Sequence, residues 1–191
     1  MGLGYAFTWL SGPNVGQWNV NVIANAMPQK LASAIGALDE ELVGAAYEPI
    51  AYIGSQVVNG TNHAVIAKQT ILSGKDQNNI VLLKFNEKGM DCSLYAIEPL
   101  VQEGPAFGGW KLDVKVGDEM PKEAIESFNQ VTEGWVGAKL TPEVLLGTKV
   151  TKGVDYLFLA TVKPVYPEAK ASVKLIMVNS LSKTIEFVDV L

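Results

Sequence analysis

The chain has 191 residues, 48% of them hydrophobic and 18% charged, a composition that fits a globular protein and argues against disorder. Its net charge is −5 and all 15 basic residues are lysine. The planar guanidinium fork that suits phosphates and base edges is therefore missing, and no nucleic-acid partner is expected. Cys92 is the only cysteine, which excludes an intramolecular disulfide and a Cys/His zinc cluster.

The opening stretch, "MGLGYAFTWLSG", lacks the basic region and the length of a signal peptide. Ala6 also stands where a myristoylation signal needs Ser or Thr. No apolar run reaches the roughly 18 residues that span a bilayer. No membrane partner is expected, and the cytoplasm is favoured without the compartment being fixed. Residues 3–10 read as an extra strand before the glycines of "GPNVGQW".

A short strand follows in "QWNVNVIA", where Trp18, Val20 and Val22 alternate. Pro28 then stands at the first position of an expected helix of about 15 residues. Leu31, Ala34, Ile35, Leu38 and Leu42 share one face of it, and Gly44 lies where a helix ends in the left-handed conformation. "EPIAYIGSQVV" and "TNHAVIAKQTIL" flank Asn59-Gly60, a hairpin signal for a type I′ turn. "IVLLKF" and "CSLYAIEPL" form a second hairpin across "NEKGMD". Gly54 lies inside a strand, where it predicts a bulge.

The order then repeats. "GPNVGQW" returns as "GPAFGGW", Met27-Pro28 as Met120-Pro121, Pro49 as Pro142, Gly54 as Gly147 and Gly60 as Gly153. "WKLDVKV" corresponds to the first strand, and a second helix carries Ala124, Phe128, Val131 and Trp135 on one face before Gly137. Such a constant spacing reads as an internal duplication, with one unit over 1–100 and a second over 101–191. Each unit is a helix with a mostly antiparallel sheet, so the class is α+β.

The helix followed by the stretch Gln56, Val57, Val58, Asn59, Gly60 resembles the cystatin family of cysteine-protease inhibitors, nearest the stefin type. The signature is Gln-x-Val-x-Gly at a hairpin tip after a helix. The resemblance implies two cystatin-like repeats, each an antiparallel sheet of four to five strands wrapped around one helix. It implies a non-enzymatic protein-binding module whose tip enters the cleft of papain-like proteases. It further places secondary binding loops at Gly12 to Gly16 and at Asn86, Glu87, Lys88 and Gly89. The second unit departs from the pattern: its tip reads Lys149, Val150, Thr151, Lys152, Gly153, without the Gln and the second Val. The alternative is a non-inhibitory scaffold that uses the duplicated fold for assembly.

Other constellations are weak. His63 and Cys92 correspond to Tyr156 and Ile185 in the second half, which suits a ring on a sheet and a small apolar site better than a thiol–imidazole pair. Asp39-Glu40-Glu41 reads as a solvated helix face. No glycine-rich phosphate loop opens a helix. The expected partner is a protein, with no cofactor, no metal and no enzyme activity; the oligomeric state is left open.

Overall fold

The computed structural model describes residues 16–24, 26–72, 77–104, 108–114, 117 and 119–191. The expected strand at 3–10 and Gly12 lie outside them. The fold is α+β. Strand β1 (Trp18–Ala24), helix α1 (Gln29–Glu41) and strands β2 (Ala45–Val58), β3 (Gly60–Ile71), β4 (Gln77–Lys88) and β5 (Asp91–Gln102) make the first half. Helix α2 (Lys122–Thr132) and strands β6 (Ala138–Thr151), β7 (Gly153–Pro164), β8 (Ser172–Asn179) and β9 (Ile185–Asp189) make the second. The strands form a five-stranded sheet in the order β1-β2-β3-β4-β5 and a four-stranded sheet in the order β6-β7-β8-β9, all pairs antiparallel.

Each helix covers the outer face of one sheet. Leu31, Ile35 and Leu38, spaced at one turn, bury against Tyr47, Tyr52, Val65, Val81, Leu83 and Phe85. On α2, Ala124 and Phe128 do the same against Phe158, Ala160, Ile176 and Val178. Pro28 and Pro121 precede the helices as caps rather than standing at the first helical position. Their ψ of 136° and 139° is extended, while their carbonyls accept the first helical hydrogen bonds. Helix α2 stops earlier than expected because Gly134 takes φ +76°. Trp135 therefore leaves the helix and packs its ring on Phe187, centroids 5.5 Å apart.

The inner faces meet each other. Ile50, Ile53, Ile66, Ile80 and Leu82 from one sheet interdigitate with Leu146, Leu157, Leu159, Val173 and Leu175 from the other. The result is four layers, helix–sheet–sheet–helix. Each sheet is covered on both faces, which differs from a sheet that only curls about its helix. Trp18 and Trp110 are partly buried at the margin of this shared core. The inter-sheet contact explains the unbroken apolar runs Ala64–Ala67 and Ile80–Leu83, since a strand with both faces covered has no polar side to alternate.

The sheets carry corresponding irregularities. Register shifts fall between Pro49 and Ala51 and between Tyr52 and Gly54 in β2; in β6 they fall between Pro142 and Val144 and between Leu145 and Gly147. At Gly54 a Cβ would stand 2.6 Å from the Asn19 carbonyl oxygen, and at Gly147 2.7 Å from that of Lys111, so the neighbouring backbone occupies the place of a side chain. Among its described residues, 110–114, the segment corresponding to β1 forms one bridge and no strand. Lys111 and Thr148 exchange two backbone hydrogen bonds, 2.8 and 3.0 Å, and among the described residues the pairing stops there. Leu112 and Val114 nevertheless bury, as the alternation of "WKLDVKV" requires.

The two sheets run in opposite directions. Lys170, in the β7–β8 turn, donates to Gln17 Oε1 (2.9 Å) beside the β2–β3 tip. At the other end, β5 leads through Gly104, whose N–H donates to the Trp110 carbonyl, to Lys111 beside Thr148. The tips of the β2–β3 and β6–β7 hairpins therefore lie at opposite ends of the sandwich.

Candidate functional site

The β2–β3 hairpin closes in the tightest way its register allows, with Val58 opposite Gly60. Only Gly60 is left-handed, at φ +100°; Asn59 is not, so the turn is not the type I′ form that the Asn-Gly pair predicts. Gly60 is required by space as well as by φ. A Cβ there would stand 2.4 Å from the Glu87 carbonyl oxygen, because the second hairpin backs directly onto the tip. Val57, Val58 and Asn59 are exposed, the valines at 45% and 37%. Two apolar side chains thus face solvent on a hairpin braced from behind.

Gly16 joins this edge. Its N–H donates to the Val57 carbonyl (3.0 Å), and its carbonyl accepts from Gln56 Nε2 (2.9 Å). Gln56 Oε1 in turn accepts from Asn62 Nδ2 (2.8 Å), and Asn62 Oδ1 accepts from Asn86 Nδ2 (2.8 Å). Gln56 and Asn86 are therefore spent inside the protein, while Val57 and Val58 are left outside.

The face under α1 carries a second polar chain. The Tyr52 hydroxyl and His63 Nδ1 are 3.2 Å apart, and His63 Nε2 lies 3.2 Å from Glu87 Oε2. Lys30 Nζ donates to Glu87 Oε1 and to the Gly89 carbonyl, both at 2.8 Å. The hydrogen bond from Lys30 is the main cause that holds the Glu87 carboxyl below its ordinary range, and His63 adds to it. Burial pushes the Tyr52 phenol up, with the Glu87 charge behind it. In the neutral imidazole, Nε2–H then donates to a carboxylate that only accepts, and Nδ1 accepts from the phenol. His63 is thereby committed at both nitrogens.

Cys92 sits opposite Glu87 across the second hairpin and is half-buried. Burial first, and then the Glu87 charge, raise its thiol, away from the thiolate that nucleophilic chemistry needs. It lines a shallow groove with Gln29, Lys30, Ser33, Ala34 and Met90. Among the described residues no three His, Cys, Asp or Glu side chains gather as a metal site, and no helix is long and apolar enough to cross a membrane.

The second hairpin turns at Gly89, φ +63°, with Lys88 and Met90 exposed, the latter at 87%. Met90 is the residue that sequence reasoning passed over. The connection "NEKGMD" contains it, yet the binding loop that the resemblance implies stops at Gly89, one residue short of the most exposed apolar side chain at this end of the first sheet. The corresponding tip in the second sheet is built differently. Val150, Thr151 and Lys152 are exposed, Lys149 Nζ lies 5.9 Å above the Trp110 ring, and Asp155 accepts from Asn179 Nδ2 (2.6 Å). Gly153 is left-handed like Gly60, but a Cβ there would meet Leu181 Cβ (2.8 Å) and Ser180 Oγ (2.9 Å) first, with the Leu181 backbone nitrogen behind them at 3.3 Å.

Set against models of protein families and against curated proteins, the chain has no match.

Proposed function

We propose that the chain is a non-enzymatic protein-binding module that inhibits papain-like cysteine proteases through the hairpin tip Gln56–Gly60, and that its two halves are cystatin-like units. The observation that carries the reading is the exposure of Val57 and Val58 on a turn braced at Gly60 by the Glu87 backbone. Such a tip is narrow enough for a cleft and loses little conformational freedom on binding. Gly16 on one side and Lys88 to Met90 on the other extend the same edge, which supports a three-part contact. The order common to both halves, a helix followed by four antiparallel strands, and their matching bulges support a duplicated unit.

The alternative, a non-inhibitory scaffold built for assembly, is favoured by one feature: Gln56, part of the signature, bonds to Gly16 and Asn62 and not outward. Titration of the purified protein against papain separates the two. Substitution at Gly60 is a poor probe, because it deforms the hairpin itself. Val58→Asp keeps the backbone and places a charge on the exposed tip. Inhibition by the wild type, weakened about 100-fold by Val58→Asp and unchanged by Val150→Asp, is the expected result, since a desolvated unpaired carboxylate costs several kcal/mol in an interface. Absence of inhibition at micromolar wild-type protein overturns the proposal and leaves the scaffold.

A further inference from the structure

We propose that the side-chain amides of Gln56, Asn62 and Asn86 form a directional clamp that locks Gly16 to the hairpin tip, making these three positioning residues rather than contact residues. The proposal deepens the protease-binding reading and rests on it only for its affinity arm. The three side chains occupy directly paired positions on β2, β3 and β4. Each donates in the same sense: Asn86 Nδ2 to Asn62 Oδ1, Asn62 Nδ2 to Gln56 Oε1, and Gln56 Nε2 to the Gly16 carbonyl. A carbonyl is an acceptor only, so the last bond exists in one orientation of Gln56 alone. The Gly16 carbonyl thus fixes Gln56, Gln56 Oε1 takes its donor from Asn62, and Asn62 Oδ1 takes its donor from Asn86, so a change of polarity at position 86 runs back along the ladder. The state of β4 is thus read at Gly16, three strands away.

The second sheet supplies the contrast. Asp155 stands where Asn62 does, and Asn179 where Asn86 does; Asn179 donates to Asp155, a carboxylate that cannot donate onward. Lys149 replaces Gln56 and turns over Trp110. Among the described residues no hydrogen bond joins Lys149 to Gly108, the counterpart of Gly16. Two changes, Asn62 to Asp155 and Gln56 to Lys149, separate a ladder that reaches the glycine from one that stops short.

The direction of the ladder makes it testable apart from its contribution to stability. Asn62→Asp removes the onward donor without changing shape. Asn86→Asp inverts the ladder from a distance, because the new carboxylate accepts from Asn62 Nδ2 and leaves Oδ1 facing Gln56 Oε1. Asn86→Ala only deletes the first donor and leaves the remaining polarity intact. The readout is residue-resolved amide exchange by NMR, with papain affinity measured alongside. Protection of the Gly16 N–H is expected to fall about tenfold or more in Asn62→Asp and Asn86→Asp, to change less than about threefold in Asn86→Ala, and to stay constant at Val65 in all three. Affinity is expected to weaken in the same order. Equal loss at Gly16 in Asn86→Asp and Asn86→Ala, or no loss in Asn62→Asp, overturns the clamp. A wild type that does not inhibit but shows the expected exchange pattern upholds the clamp and overturns the inhibitor reading alone.

Discussion

The tips of β2–β3 and β6–β7 share a register and a left-handed glycine, yet one is braced by strand backbone and the other by the turn at Ser180 and Leu181. Behind Gly60 stands the backbone of Glu87; behind Gly153 stand the side chains of Leu181 and Ser180. Beside Gln56 runs a strand, β1, with five paired residues; beside Lys149 runs a single bridge. Beneath the first tip, Tyr52, His63, Glu87 and Lys30 are linked, whereas Leu145, Tyr156, Ser180 and Glu123 hold the corresponding places. The same backbone turn thus acquires rigidity from its neighbours, not from its own residues.

Alanine at the two glycines gives the largest expected difference between the tips. Both substitutions force a Cβ into the left-handed region, at about 1–2 kcal/mol. Gly60→Ala adds a clash with strand backbone, which costs about 1–3 kcal/mol more because β4 has to move away from the tip. Gly153→Ala presses on Leu181 Cβ and Ser180 Oγ, at 2.8 and 2.9 Å, but these belong to an exposed turn that moves without opening a strand pair, so its steric cost is expected to be smaller. Urea unfolding of the two variants at constant m-value is the measurement. Equal losses would mean that the Glu87 backbone yields as easily as the 180–181 turn, and the idea of a braced tip would fall.

The next effect concerns the polar chain under α1. Tyr52→Phe keeps the ring and removes the hydroxyl, so His63 Nδ1 loses its partner at a buried position. A loss of about 1–2 kcal/mol is expected, the usual cost of a buried polar atom left unpaired. Tyr156→Phe, in the second sheet, removes a hydroxyl for which no hydrogen bond is seen among the described residues, and should stay within about 0.5 kcal/mol of wild type. Thermal or urea midpoints of the pair decide it; a neutral Tyr52→Phe would show that water replaces the phenol.

Much of this architecture was readable from residue order, and the parts that were not share a cause. Helices α1 and α2 announced themselves through Leu31, Ile35 and Leu38, and through Ala124 and Phe128, because burial of one face imposes a period of its own. The bulges at Gly54 and Gly147 were readable because a strand tolerates glycine poorly without such a reason. The five-residue pairing of β1 and the single bridge seen at Lys111 among the described residues of its counterpart were not distinguishable, since both segments alternate and Trp18, Val20, Leu112 and Val114 all join the shared core. Alternation reports which side chains face inward, whereas pairing depends on a backbone register that leaves no mark in composition. The second layer of burial was signalled by Ala64–Ala67 and Ile80–Leu83, whose unbroken apolar character needs a cover on both faces. At the tip, the hairpin itself followed from Asn59-Gly60 between two apolar strands. The inward role of Gln56 did not, because it depends on Gly16 and Asn62 arriving from other strands.

The smallest expected effect is a pH dependence, and its sign separates the two tips most cleanly. Glu87 is held below the ordinary glutamate value chiefly by the hydrogen bond from Lys30 and further by His63. A carboxyl whose pKa is lower folded than unfolded stabilises the protein fully above the unfolded value, about 4.3, and loses that contribution as the pH falls through the folded value. Glu87→Gln should therefore be less stable than wild type at pH 7, with a gap that closes as the pH is lowered below about 4. Ser180→Ala makes the corresponding change in the second sheet. It removes the hydroxyl that accepts from the Val154 N–H (2.9 Å), a bond without a titrating partner. Its gap should stay constant over the same range. Denaturant midpoints at pH 7, 5 and 3 test both. A Glu87→Gln gap that persists unchanged at pH 3 would mean that the difference lies in the geometry of the hydrogen bonds to position 87, and that the link between helix and tip owes nothing to the carboxylate charge.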